Sequence, residues 1–336
     1  MTTLTPNADQ PEPLPAKKPK LRWYQFSLRS LLIFMTLVAC LSGWFGVKFR
    51  RALRQHAAVV ALKKASFQVE YDYERDTQNR GKGFRGTSPV AEWLRNLLTE
   101  EFFASVDSVV AFAWDEATDD EIANLAELSE LRCCMLEKPK LTNKGLAKLQ
   151  GLTHLTYLQF DETAVTDDGM KYLDDMTELD TLQINDAPIS DAGLQHLERM
   201  SQLKVLYFSK TQISDAGLEH LQKLPKLKIL GLDETKITDA GLKSLQAMDQ
   251  LEEISLNSTS VTDAGLETLS KMTHLTYIDV ERTQITDAGL EHLKRLPHLI
   301  RLNVDSGYVS DAAIKDFEKA MPNCDVTVTR PIIMGP

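Results

Sequence analysis

Apolar residues recur in one pattern along most of this chain. In a representative unit, the alternation of Leu206 and Phe208 is typical of a strand with one buried face. Leu218, Leu221 and Leu224 follow at intervals of three residues, which places them on one face of a short helix. The pattern therefore predicts one strand and one helix in each unit.

The unit keeps a length of 24 residues across residues 141–309, without insertion or deletion. In each unit a Ser or Thr precedes a glycine and is followed by Asp, or by Asn143 in the first of these units, and we expect the hydroxyl to cap the helix and the carboxylate to complement its dipole. The glycines are Gly145, Gly169, Gly193, Gly217, Gly241, Gly265 and Gly289. Such a period predicts stacked units rather than a globule with a single catalytic cleft.

The motif Thr-Asp-x-Gly-Leu resembles the leucine-rich-repeat family, in particular its ribonuclease-inhibitor-like and GALA-type repeats. The resemblance covers residues 118–329 and implies an α/β fold, a right-handed leucine-rich-repeat superhelix (solenoid) with a strand-lined concave face. At the ninth position of the unit, where the family usually has Asn, a hydroxyl can still hydrogen-bond the neighbouring backbone. The residues there include Thr163, Thr211, Thr235, Thr259 and Thr283.

Irregular segments flank the regular units and predict caps at both ends. Residues 65–117 are expected to form the N-terminal cap, with a strand over 67–73, a helix over 89–104 and a strand over 109–114. Residues 118–310 are expected to form the leucine-rich repeats. Residues 311–336 are expected to form the C-terminal cap and tail, with a last strand over 326–328.

The N-terminal part of the chain follows a different pattern. Residues 1–29 are basic and rich in proline, which predicts a disordered cytoplasmic tail. Residues 31–47 carry no charge and predict one transmembrane helix over 30–48, in contact with the lipid bilayer. Residues 49–64 keep helical spacing and predict a juxtamembrane helix. Its apolar positions are Leu53, Ala57, Val60 and Leu62.

Two other interpretations of the apolar segment stay open. A cleaved signal peptide is disfavoured by the long leader and by the absence of a small-residue cleavage site before polar sequence. A lipoprotein signal is suggested by Leu37-Val38-Ala39-Cys40, but the apolar residues continue after the cysteine. The sequence does not decide whether Cys40 is acylated.

The orientation in the membrane does not follow from charge, because Lys and Arg are nearly balanced on the two sides of the span. A first hydrophobic segment behind a basic tail most often acts as a signal-anchor. Residues 26–32 and 69–73 also resemble a bacterial family of membrane-anchored leucine-rich-repeat proteins. This resemblance implies a single-pass membrane protein with its repeats on the extracytoplasmic side.

Charge is distributed unevenly along the chain. Residues 1–64 contain 11 Lys and Arg against two acids, a net +9, whereas the remaining residues contain 27 against 46, a net −19. Nucleic acid is excluded as the ligand of the repeats, because phosphate binding needs a cationic face. An anionic array favours a protein or peptide partner, basic or neutral.

No catalytic or metal-binding constellation is evident. His196, His220 and His292 share one column of the unit, but no third or fourth zinc ligand accompanies them. An Asp that recurs in every unit is expected of helix capping rather than catalysis: Asp167, Asp191, Asp215, Asp239, Asp263, Asp287 and Asp311. Without a phosphate loop or a catalytic triad, the sequence predicts no enzyme, no cofactor, no metal and no small-molecule substrate.

Strand residues between the buried positions are expected to face the concave side. Val205, Tyr207 and Ile229 then form an apolar patch at mid-array, with carboxylates towards the C-terminal side. The predicted partner-binding residues are Tyr157, Val205, Tyr207, Ile229, Asp233, Glu253, Tyr277, Asp279 and Glu281. The alternative is that Val, Ile and Tyr are simply favourable strand residues.

The sequence as a whole predicts a membrane-anchored leucine-rich-repeat protein that binds a protein or peptide through its concave face. The alternative is a structural envelope protein that self-associates through its repeats. Neither the ligand nor the oligomeric state follows from the sequence.

Overall fold

A computed structural model describes residues 28–74, 90–111, 117–137, 139–305 and 307–329 of the chain. The chain divides into two compact units, Met1–Lys48 and Phe49–Pro336. Most of the predicted N-terminal tail, residues 1–27, lies outside the described residues.

The first unit contains the beginning of helix α1 (Leu28–Lys64), whose apolar residues are exposed over most of residues 31–47. By length and composition, α1 is the one helix among the described residues that is suited to cross a membrane, and a signal sequence would pass the same test.

The second part of α1, residues 49–64, packs against the N-terminal cap by a face that the apolar spacing does not indicate. Leu62 is fully buried, whereas Leu53 and Val60 are 44% and 52% exposed. The buried face is formed by Ala52, Gln55, Ala58, Val59 and Leu62. Two of these residues are alanines, and residues 49–64 belong to the second compact unit.

The rest of the cap comprises strand β1 (Gln68–Tyr71), helix α2 (Glu92–Leu98) and strand β2 (Val106–Ala111). The predicted strand over 67–73 is shorter in the structure, because a 3-10 turn begins at Asp72. The predicted helix over 89–104 is interrupted at Thr99, where φ is 70°, and continues only as the 3-10 turn Glu100–Phe102. The predicted strand over 109–114 begins earlier, at Val106, and residues 112–116 lie outside the described part of the chain.

Strands and helices alternate through the remainder of the chain. The strands are β3 (Cys133–Leu136), β4 (Tyr157–Phe160), β5 (Thr181–Gln183), β6 (Val205–Tyr207), β7 (Ile229–Gly231), β8 (Glu253–Ser255), β9 (Tyr277–Asp279), β10 (Arg301–Asp305) and β11 (Asp325–Thr329). The helices are α3 (Asp119–Ile122), α4 (Asn143–Leu149), α5 (Asp167–Met170), α6 (Asp191–Leu194), α7 (Leu218–Leu221), α8 (Asp239–Leu245), α9 (Asp263–Leu269), α10 (Asp287–Leu293) and α11 (Asp311–Ala320).

The eleven strands found in the described residues form one sheet in chain order, β1 to β11. β1 runs antiparallel to β2, and the following neighbours are parallel and in register. The predicted solenoid is confirmed, and the predicted last strand over 326–328 lies within β11.

The core lies between the sheet and the helices and consists of the repeated apolar columns. In the unit that contains β6, Leu206 and Phe208 of the strand side are fully buried, as are Leu218, Leu221 and Leu224 of the helix side. Each such side chain contributes roughly 1.5–3 kcal/mol relative to an exposed position. The two periodicities in the sequence therefore correspond to the two walls of one continuous core.

The aspartate column joins neighbouring repeats, which is more than the predicted helix-dipole role. Oδ1 of Asp191 accepts from the backbone N of Ser214 at 2.7 Å, and Oδ2 accepts from the Ser214 hydroxyl at 2.6 Å. Among the described residues, the same two hydrogen bonds are made in six further pairs: Asp119–Thr142, Asp167–Ser190, Asp215–Thr238, Asp239–Thr262, Asp263–Thr286 and Asp287–Ser310. We call this arrangement the aspartate clamp.

The predicted helix caps are present in part of the array. The hydroxyls of Thr238, Thr262 and Thr286 accept a hydrogen bond from the second residue of their own helices, whereas those of Ser190 and Ser214 make no such bond. All five hydroxyls donate to the aspartate clamp, so the clamp is the more constant role.

The threonines of the ninth position hydrogen-bond the backbone, as predicted, within their own repeat. The Thr211 hydroxyl donates to the carbonyl of Phe208 at 2.7 Å, and Thr235, Thr259 and Thr283 repeat this contact at 2.6 Å. The bond satisfies a buried carbonyl at the end of each strand.

Candidate interaction surface

The solvent-facing side of the sheet, here called the strand face, carries two rows of side chains. Parallel pairing in register aligns equivalent residues of successive strands, so each row runs across the array. The first row contains Tyr157, Thr181, Val205, Ile229, Glu253 and Tyr277. The second contains Gln159, Gln183, Tyr207, Gly231, Ser255 and Asp279.

Val205, Tyr207 and Ile229 lie together at the middle of the strand face. Val205 pairs directly with Ile229, and Tyr207 pairs with Gly231. A Cβ atom on Gly231 would overlap Cδ1 of Tyr207, which shows that the tyrosine ring lies across the neighbouring strand. The three predicted side chains are half-buried rather than fully exposed, because the strand face is crowded by its own neighbours.

Two of the predicted acidic residues are occupied by internal hydrogen bonds. Asp233 accepts from the Ser255 hydroxyl and from the backbone N of Asn257, the latter at 2.9 Å, and burial raises the pKa of its carboxyl above the ordinary value. Asp279 is also buried and accepts from the Tyr277 hydroxyl at 3.1 Å. Neither carboxylate is presented freely to a partner.

Glu281 and Glu253 differ in whether their carboxylates have a hydrogen-bond partner. Glu281 accepts a hydrogen bond from the Thr329 hydroxyl of β11. The Glu253 carboxylate, in contrast, has no hydrogen bond or ion pair with any residue in the described part of the chain. Glu253 directly follows Ile229 in the first row, so a free carboxylate adjoins the apolar patch.

The three predicted tyrosines also differ in the hydrogen bonds of their hydroxyls. The Tyr157 hydroxyl donates to Oε1 of Gln159 at 3.0 Å, and that of Tyr277 donates to Asp279. The Tyr207 hydroxyl has no hydrogen-bond partner among the residues that the structure describes. Burial raises the pKa of Tyr207, and the carboxylates of Glu253 and Asp233 raise it further.

The predicted site thus has a centre and two flanks, and the polar side chains of the flanks hydrogen-bond to other residues of the chain. Val205, Tyr207, Ile229 and Glu253 form the centre, which we call the central patch. Tyr157 lies two strands away, and Tyr277, Asp279 and Glu281 belong to the C-terminal flank.

Residues that the sequence reasoning missed complete the C-terminal flank. The Asn303 amide donates to the Tyr277 hydroxyl at 3.0 Å and to Asp279 at 2.9 Å. The Arg301 guanidinium lies 5.7 Å from the centroid of the Tyr277 ring. Both positions are found by extending the two rows by one unit, because Arg301 pairs with Tyr277 and Asn303 with Asp279.

Two histidines of the predicted column, His196 and His220, pair with carboxylates of the preceding repeat. His196 Nδ1 lies 2.9 Å from Asp174 Oδ1, and His220 Nδ1 lies 2.7 Å from Glu198 Oε1. Within the described ranges, no group of three or more His, Cys, Asp or Glu side chains has an arrangement that would hold a metal ion.

Many solved structures are similar to this chain, among them two internalins. An internalin (inlF) from Listeria monocytogenes strain 4b F2365 has 24% sequence identity and a TM-score of 0.45, covering 54% of this chain and 56% of its own. Internalin C2 from the same strain has 21% identity and a TM-score of 0.47, covering 59% of this chain and 80% of its own. The match thus spans little more than half the length of the first internalin. No curated protein matches the chain.

A family model described as a leucine-rich repeat region matches residues 119–326. This match covers more than half of the 336 residues and includes α3 to α11 and β3 to β10 in full. The resemblance inferred from the repeated motif is confirmed. The chain belongs to the leucine-rich-repeat family.

Proposed function

We propose that this protein binds another protein or a peptide through the central patch of its strand face. Repeat solenoids present extended surfaces of this kind to their partners. An aromatic anchor beside aliphatic side chains and a charged rim is a common composition for the core of an interface. No catalytic step is part of the proposal.

The observation that carries the proposal is that the Tyr207 hydroxyl makes no hydrogen bond to any residue that the structure describes. The hydroxyls of the other two predicted strand-face tyrosines donate hydrogen bonds to neighbouring side chains. The Tyr207 hydroxyl has no such partner in the described residues. Its ring lies against Gly231, with Cδ1 nearest to the position that a Cβ atom would take. A fixed aromatic surface with a free donor loses little conformational entropy on binding, which favours an interface.

A displayed library of random peptides, selected on the full chain in detergent, would test this function. Selected peptides should lose ~2 kcal/mol or more of binding free energy with Tyr207→Ala and with Ile229→Asp. Tyr207→Phe should cause a smaller loss, since it removes only the hydroxyl. Melting temperatures of all variants establish that the fold is retained.

Tyr157→Ala is the matched control, because it removes a strand-face tyrosine whose hydroxyl is already bonded within the chain. Peptides that bind every variant as they bind the wild type would exclude the central patch. Concentration-dependent oligomers of the full chain, without peptide selection, would favour the self-associating structural role instead.

We further propose that residues 30–48 anchor the protein in a membrane, with the repeats on the extracytoplasmic side. The support is the uncharged segment of α1 and its exposed apolar side chains. The wild-type chain should stay in the membrane fraction after alkaline carbonate extraction, whereas a chain that lacks residues 1–48 should be released. Release of the wild type would contradict the anchor.

A further inference from the structure

The central patch contains a carboxylate that forms no ion pair with any residue in the described part of the chain. Glu253 is half-buried beside Ile229, and its carboxylate has no ion pair within the described chain. A charged group that is partly removed from water is costly unless an opposite charge or hydrogen bonds compensate for it. The position therefore favours a ligand that brings a positive charge.

The lysines that precede the patch residues of β6 and β7 already form ion pairs with other carboxylates. Lys228, which precedes Ile229, lies 2.5 Å from the carboxylate of Glu252. Lys204, which precedes Val205, lies 3.7 Å from Asp180. The Glu252 carboxylate is thus paired, and the strands β6, β7 and β8 that carry the patch contain no Lys or Arg.

The aromatic ring lies on the side of the patch where a cation would be held. Tyr207 extends over Gly231 of β7, towards β8, the strand that carries Glu253. The carboxylates of Glu253 and Asp233 both raise the pKa of Tyr207, so its ring lies in a negative field. Ring faces and carboxylates each attract Lys and Arg side chains.

We propose that the partner inserts a Lys or Arg side chain into the central patch. The aliphatic stem would lie along Val205 and Ile229, and the cationic head would reach the Glu253 carboxylate and the Tyr207 ring. Long basic side chains suit this combination because they bury an apolar stem while keeping a charged tip. The net charge of −19 over residues 65–336 is complementary to such a partner. This inference rests on the proposed function and specifies the chemistry of its ligand.

The test uses the peptides that the random library yields on the full wild-type chain. We expect them to share a Lys or Arg next to an apolar residue. The affinity of a synthetic selected peptide should fall about tenfold or more with Glu253→Gln, and less than about twofold with the control Glu252→Gln, whose charge is already paired on the surface.

A double-mutant cycle then locates the contact. Replacing the peptide's basic residue by norleucine should weaken binding to the wild type, but should have little additional effect on Glu253→Gln. Equal losses in both backgrounds would overturn the proposed contact.

The outcomes separate this inference from the function on which it rests. Selected peptides that lack a basic residue, yet depend on Tyr207, would overturn the cation inference and leave peptide binding at the patch intact. Failure to select any peptide, or peptides that ignore Tyr207→Ala, would overturn both.

Discussion

The Asp191 carboxylate occupies the space in which residue 217, one repeat further along the chain, would carry a Cβ atom. Oδ1 of Asp191 would lie only 2.5 Å from such a Cβ, and φ of Gly217 is −63°, within the ordinary helical region. The glycine column is therefore required by close packing and not by an unusual backbone conformation. Each glycine leaves room for the aspartate clamp of the preceding repeat.

Helix propensity alone would make Gly217→Ala stabilising by ~1 kcal/mol. We expect the substitution to destabilise the array instead, by more than that amount. The added methyl group must displace Asp191 from Ser214, which breaks two hydrogen bonds. Urea unfolding followed by circular dichroism measures the change. Gly151→Ala is the control, because a Cβ there meets no atom within 4 Å. Equal effects at both positions would refute the packing explanation.

Acid should weaken the aspartate clamp of Asp287. Hydrogen bonds from the backbone N and hydroxyl of Ser310 hold the pKa of Asp287 below its ordinary value. A carboxyl whose pKa is lower in the folded state stabilises the fold above its unfolded pKa of ~3.9, and the contribution is lost as the pH falls through the folded pKa.

Asp287→Asn tests this linkage, because Asn143 bonds Thr166 at the same place without a charge: its Oδ1 accepts from the Thr166 backbone N, and its amide donates to the Thr166 hydroxyl. The difference in melting temperature between wild type and variant should shrink as the pH falls from ~6 to ~2. Asp249→Asn, at an exposed position, should show no such trend. A difference that stays constant with pH would contradict the role of the Asp287 charge.

Leu62→Ala should cost ~2–5 kcal/mol, because the side chain is fully buried between α1 and the cap. Val60→Ala, two residues away on the exposed side of the same helix, should change the unfolding free energy by less than ~0.5 kcal/mol. Both are measured by denaturant unfolding. If Val60 proves the more costly site, the helix packs by its other face.

External protease should digest the repeats in intact cells that express the full chain, if these lie on the extracytoplasmic side. The expectation rests on the signal-anchor arrangement of residues 1–48. A cytoplasmic marker protein must stay intact in the same sample. Protection of the repeats until the cells are lysed would reverse the orientation.

Regular repetition made the solenoid predictable, because every apolar column was observed several times in one chain. The buried face of residues 49–64 occurs once, and small side chains such as Ala52 and Ala58 form much of it. Hydrophobicity therefore pointed to the exposed Leu53 and Val60 as well as to the buried Leu62.

The chemistry of the strand face was predictable only in part. Sequence columns placed Asp233 and Glu253 on one side of the sheet, but hydrogen bonding to Ser255 and Asn257 distinguishes the two carboxylates. Such pairing depends on side-chain reach across strands, which a one-dimensional pattern does not contain.

The aspartate clamp has a consequence for how such a gene can change. Its two halves lie 23 residues apart, from Asp191 to Ser214 and from Asp215 to Thr238, so any unit can follow any other. Recombination that adds or removes whole units of 24 residues preserves every joint, whereas a shift of one residue between Asp and hydroxyl breaks one. Because one carboxylate must reach the hydroxyl of the next repeat, the array can lengthen or shorten only by whole repeats.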